Sequence, residues 1–209
     1  MCGGGYRVPN LLVKNYTERD FLARYGLLSG GQRILNAGSS SVRYGEDCVN
    51  VDIQPKLNVD VVCDIQNLPD SLGQFDAIVC TGVLQYCQDP QQVAREFYRV
   101  LAPGGYLFVD APWVQPYCPD TPDRLRFSED ALRSIFAAFE LVEIGPSIRP
   151  GSAFLMLGTD IAGSLTTNKY VNVLLRGIVT VFLYPFRGIR TAEESRTAGG
   201  FYLIGRKSA

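Results

Sequence analysis

The segment Val59–Pro112 constrains this chain more than any other part of its 209 residues. Three short apolar runs, Val59–Cys63, Phe75–Cys80 and Tyr106–Val109, have strand length and are rich in β-branched or aromatic residues. Between the second and third, Val93, Phe97, Val100 and Leu101 recur at helical spacing. The spacing predicts a helix over Pro90–Leu101, with Asp89 as N-cap, Pro90 in the first turn and Pro103-Gly104-Gly105 ending it. Strand, helix, strand in that order implies a right-handed crossover and a parallel sheet. Ligands of such sheets sit at the carboxyl ends of the strands.

The flanking sequence extends the pattern. Further strands are expected at Arg33–Ala37, Val49–Ile53, Phe139–Ile144 and Phe201–Gly205, and helices at Thr17–Leu28 and Ser128–Ala138, with Thr17 and Ser128 at the caps. The first dozen residues read as irregular, and 112–126 as a Pro-rich loop. The length suits a single domain with a full core. We divide it into a cofactor-binding core (33–112), an acceptor side (113–200) and a final strand (201–206).

Composition excludes several classes. A net charge of −1 leaves no basic footprint for nucleic acid. Residues 161–209 do hold seven Lys/Arg against Glu193 and Glu194, which suits either a solvated helix face or an anionic neighbour. The six cysteines form no CxxC pattern and histidine is absent, so no metal is expected. No secretory signal is read at the N-terminus, and a reduced, cytoplasmic setting is expected. The stretch Tyr170–Ile189 is almost continuously apolar, with Asn172, Arg176 and Thr180 recurring every four residues as a polar stripe. It reads first as an amphipathic helix on the sheet or over the substrate site. Peripheral membrane contact is an alternative, as is a span, which would have to hide Arg176 at roughly 2.5 kcal/mol or more.

The loop after the Arg33–Ala37 strand, Asn36-Ala37-Gly38-Ser39-Ser40-Ser41, is followed by Asp52 at the end of the next strand. That is the layout of a ribose-binding site, with Asp52 as acceptor for the ribose hydroxyls. The G-x-G-x-x-G fingerprint is not met, because Ser40 and Arg43 stand at the second and third glycine positions. A nucleoside cofactor without phosphates suits the loop, S-adenosyl-L-methionine above all.

Leu68-Pro69, Phe75-Asp76, Val83-Leu84, Asp89-Pro90, Glu96 and Arg99-Val100-Leu101-Ala102-Pro103-Gly104-Gly105 follow in that order. The series resembles class I S-adenosylmethionine-dependent methyltransferases, type 11-like, over roughly 33–144. The resemblance implies an α/β fold with a Rossmann-like, seven-stranded, mostly parallel sheet, helices on both faces and an antiparallel last strand. It also implies that Asn36, Ala37, Gly38, Ser39 and Ser40 surround the methionine moiety, Asp52 and Ile53 the ribose, and Asp64 and Ile65 the adenine, with Thr81, Gly82 and Tyr86 beneath. Three features depart from the family: Asn36 stands where Asp is usual, Tyr86 where His is common, and only 14 positions separate Gly38 from Asp52, so the usual helix there must shrink to a turn.

Positioning an acceptor against a methyl donor supplies much of the rate of such a transfer. A hydroxyl acceptor also needs a base, here a carboxylate, tyrosinate or lysine. Pro112–Arg126 resembles the corresponding segment of a methyltransferase subgroup often encoded near sugar-modifying enzymes, with Cys118 replacing a His. The candidates are Asp110, Asp123 and Tyr117 for catalysis, and Trp113, Tyr117 and Arg126 for substrate binding. The expected acceptor is a small molecule or glycan-type compound methylated on oxygen. A lipid-linked acceptor and a non-catalytic nucleoside binder are the alternatives.

Overall fold

The computed structural model describes residues 13–40, 42–118 and 122–209; the irregular first dozen residues expected above lie outside them. Seven strands form one sheet: β1 (Ile34–Ala37), β2 (Cys48–Asp52), β3 (Val61–Val62), β4 (Phe75–Thr81), β5 (Leu101–Pro112), β6 (Glu140–Ile148) and β7 (Gly200–Arg206). Their order is β3-β2-β1-β4-β5-β7-β6. The first five run parallel, and β7 is inserted antiparallel between β5 and β6. The expected mostly parallel sheet with an antiparallel last strand is therefore present.

Helix α1 (Glu18–Arg24) is started by a capping box in which Thr17 and Asp20 satisfy each other's backbone N–H. Helix α2 (Pro90–Val100) begins at Asp89, whose carboxylate accepts from Gln92 N at 3.0 Å. Val93 and Phe97 of α2 are wholly buried, together with Ile78 and Leu107 of the sheet. Burying a side chain such as Phe97 contributes about 2–3 kcal/mol. Helix α3 (Glu129–Ile135), capped by Ser128, joins the same face through Leu132. On the other face Phe21 and Leu22 of α1 pack with Val79, Phe108 and Ile204.

The C-terminal half differs from expectation. A helix not foreseen, α4 (Pro150–Ser164), follows β6, and α5 (Lys169–Leu183) returns along it, followed by a 3-10 turn at Tyr184–Gly188. A short helix, α6 (Glu194–Thr197), precedes β7. The segment Tyr170–Ile189 does not pack on the sheet; α5 lies on α4 with its polar stripe inward. Asn172 Nδ2 donates to Gly163 O at 2.5 Å, and Arg176 reaches Asp160 at 3.3 Å. No helix among the described residues is long and apolar enough to cross a membrane. Cys48, Cys63, Cys80 and Cys87 are free thiols.

Candidate functional site

The carboxyl ends of β1, β2 and β4 open onto a cavity of about 580 Å³. Its floor is the turn after β1. Gly38 has φ +76, and a Cβ there would stand 2.2 Å from Val83 Cγ2, so both conformation and space require glycine. Among the described residues of 38–47 there is no helix, as the short Gly38–Asp52 spacing implied. Asn36 is buried, and its amide donates to Val42 O at 2.8 Å and Asn50 Oδ1 at 3.2 Å. The amide thus braces the turn from below.

Asp52, at the end of β2, accepts from Ser40 N at 2.9 Å and Gln54 N at 3.0 Å, with Lys56 Nζ 3.2 Å away. Those two amides orient the carboxylate while leaving acceptor capacity on both oxygens. Asp64, beyond β3, is held by Gln66, whose side-chain carbonyl in turn accepts from the backbone of Gln88 and Asp89. One glutamine therefore ties the β3 and β4 loops together across the mouth of the cavity.

Three buried oxygens in the cavity wall lack a hydrogen-bond partner: Ser39 Oγ, Thr81 Oγ1 and Glu18 Oε2. Buried polar atoms are rarely left orphaned without a ligand or water to meet them. A polar ligand with several donors fits this wall. The thiols here are not nucleophiles: burial, then Asp64, pushes Cys87 up to about 12, and burial raises Cys63. Burial and the neighbouring Glu18 also raise Tyr44.

Of the residues expected around the cofactor, Asn36, Gly38, Ser39, Ser40, Asp52, Ile53, Asp64, Ile65, Thr81, Gly82 and Tyr86 line the cavity; Ala37 is wholly buried behind it. The acceptor-side candidates are not among its lining residues. Asp110 forms an ion pair with Lys14 at 3.0 Å. Asp123 is clamped by Arg126 at 2.5 and 2.6 Å and accepts from Cys118 N, so Arg126 holds its carboxyl below the ordinary value against the opposing effect of burial. Trp113 is half-buried against the α2 face, and Tyr117 is 65% exposed. Sequence reasoning missed Glu18, Tyr44, Lys56 and Gln66 in the lining, whereas Arg124 enters it from the loop after β5 that the sequence marked as the acceptor side. Of the four missed, Glu18 alone carried a signal, as the first residue after the Thr17 cap.

Residues 30–109 match the family described as a methyltransferase domain. A ubiquinone biosynthesis O-methyltransferase from Marinobacter nauticus is 29% identical over 92 residues, covering 40% of this chain and 39% of that protein. The match thus spans about two fifths of that relative's length. Among solved structures, the [4+2]-cyclase SpnF has a TM-score of 0.58 at 20% identity, covering 91% of this chain and 79% of that one. A 1,6-didemethyltoxoflavin-N1-methyltransferase from Burkholderia thailandensis, with its substrate and S-adenosylhomocysteine bound, has a TM-score of 0.51 at 15% identity, covering 88% and 75%. These structural likenesses are of fold.

Proposed function

We propose that this chain, a class I methyltransferase by its matched domain and its sheet, uses S-adenosylmethionine to methylate a small-molecule acceptor, on oxygen, with glycan-type compounds foremost. The observation that carries the reading is the cavity wall: three orphaned oxygens beside an oriented, acceptor-competent Asp52. Asp52 and Ile53 hold the ribose and Asp64 and Ile65 the adenine, while Asn36–Ser40, Thr81 and Gly82 frame the methionine end with Tyr86 beside them. The bound cofactor supplies an electrophilic methyl group on a sulfonium.

The chain's own contribution is to place the acceptor and receive its proton. Asp110 lies at the cavity edge of the sheet, paired in register with Thr81, and we assign it the proton. Lys14 Nζ, 3.0 Å from Oδ2, aims the carboxylate. Asp123 and Arg126 brace the loop that bears Trp113 and Tyr117, the walls of the acceptor pocket. A second reading, a nucleoside-binding protein that transfers nothing, is favoured by the fact that both candidate carboxylates are already engaged by cations.

Calorimetric titration of S-adenosylmethionine and S-adenosylhomocysteine tests the reading. A hydrogen bond to a charged group contributes about 1.5–3 kcal/mol, so Asp52→Ala should weaken binding at least about tenfold. No binding by the folded, ligand-free protein overturns the proposal. Binding that survives with no turnover on any sugar, phenol or lipid acceptor supports the second reading.

A further inference from the structure

Helices on the surface of soluble proteins turn their polar side outward. Helix α5 does the reverse: Asn172 and Arg176 face α4, while Tyr170, Leu174, Val181 and Phe182 face out, Val181 at 76% and Phe182 at 72% exposure. Of the 20 large apolar side chains exposed among the described residues, 13 fall between Phe154 and Ile189. So concentrated a patch marks an interaction surface rather than ordinary surface scatter.

Charge selects the occupant. Between Pro150 and Arg190 the sequence carries Lys169, Arg176, Arg187 and Arg190 against Asp160 alone. Arg176 is turned inward to Asp160, which leaves Lys169 at the start of α5 and Arg187 and Arg190 beyond its end. Arg190 pairs with Glu194 at 3.6 Å, while Lys169 and Arg187 have no acidic partner among the described residues; an apolar face bounded by such cations matches an anionic membrane surface. A helix of 15 residues is about 22 Å long, short of the ~30 Å hydrocarbon core, so it lies on a bilayer and does not span it. Position adds a functional consequence. The hairpin leaves from Ile148, in register with Gly200 and Pro112, at the same sheet edge that bears the cavity.

We propose that the α4–α5 hairpin docks its outward apolar face on an anionic membrane surface and holds the cavity edge near the bilayer. Resting on the methyl-transfer reading, the acceptor is then an amphipathic molecule resident in that membrane.

The test is co-sedimentation of the full chain with phosphatidylcholine vesicles, with and without phosphatidylglycerol. The chain should sediment with the anionic vesicles. Val181→Asp with Phe182→Asp should abolish this, and Lys169→Glu with Arg190→Glu should weaken it by about tenfold or more. All four substitutions are at exposed positions and only the surface pair Arg190–Glu194 is lost, so thermal melting should change little. Absence of sedimentation, or sedimentation indifferent to both variant pairs, overturns the proposal. So does a dimer in analytical ultracentrifugation that Val181→Asp with Phe182→Asp dissociates in a chain that ignores vesicles, because the face then belongs to a second copy. Cofactor titration on the same protein separates the two claims: docking without cofactor binding removes the transfer reading and leaves the membrane surface standing.

Discussion

Substituting Gly38 isolates the contact on which the cavity floor rests. Alanine there faces two penalties. The left-handed backbone at φ +76 costs roughly 1–2 kcal/mol for a residue with a Cβ. The new methyl would also lie 2.2 Å from Val83 Cγ2 and 2.8 Å from Cγ1, an overlap whose relief costs about 1–3 kcal/mol. Gly38→Ala should therefore lower stability by about 2–5 kcal/mol. Val83→Ala removes two methyls from a half-buried side chain and should cost about 1 kcal/mol. In the double variant the two closest contacts are gone, with only Val83 Cβ left at 3.0 Å, but the backbone strain remains, so the loss should fall short of the sum by about 1–3 kcal/mol. Urea denaturation of all four proteins, compared at constant slope, measures that coupling. The cofactor titration should follow the same order. A Gly38→Ala protein within 0.5 kcal/mol of the original, or a cycle that is simply additive, refutes the steric argument.

Two further expectations concern parts outside the cavity. A Cβ at Gly151 would meet the backbone oxygen of Phe186 at 2.0 Å, so Gly151→Ala should part α4 from the Tyr184–Gly188 turn and break the Ser152–Arg187 hydrogen bond. Limited proteolysis should then cut near 184–188 at least severalfold faster, and an unchanged rate would count against it. The carboxyls of Asp123 and Glu96 lie below their ordinary 3.8 and 4.5, chiefly through hydrogen bonds from Arg126 and Arg99. Their contribution to stability is complete above those ordinary values and is lost as pH falls through the depressed ones. Denaturation midpoints should therefore drop below about pH 4, and Arg126→Met should flatten the Asp123 part of that drop.

The elements that sequence reasoning located correctly are those whose caps and periodicity agree. Helix α2 is the clearest case, with Asp89 and Pro90 at one end and buried Val93 and Phe97 at helical spacing. Helix α4 escaped because GSAFLMLGTDIAGS has glycines at 151, 158 and 163 and no polar stripe. Its glycines serve approach by α5 and the 3-10 turn, a tertiary cause invisible to local pattern. For α5 the stripe was legible but its direction was not. Periodicity separates two faces and leaves open which one meets the protein. The same limit applies at the site. Asp52 and Gly38 end or follow strands and could be placed by position, whereas Lys56 and Gln66 come from loops with no periodicity to read.

The turn between β1 and β2, with no helix among its described residues, has an electrostatic consequence. In folds that bind pyrophosphate, the loop opens a helix whose amino end carries about half a positive charge and draws the anion in. No such macrodipole stands under Gly38 among the described residues. Phosphorylated nucleotides therefore gain nothing at this turn, while Glu18, Asp52 and Asp64 outnumber Lys56 and Arg124 around it. Omitting one helix thus turns the cleft from an anion trap into a place where a positive sulfur meets no opposing field.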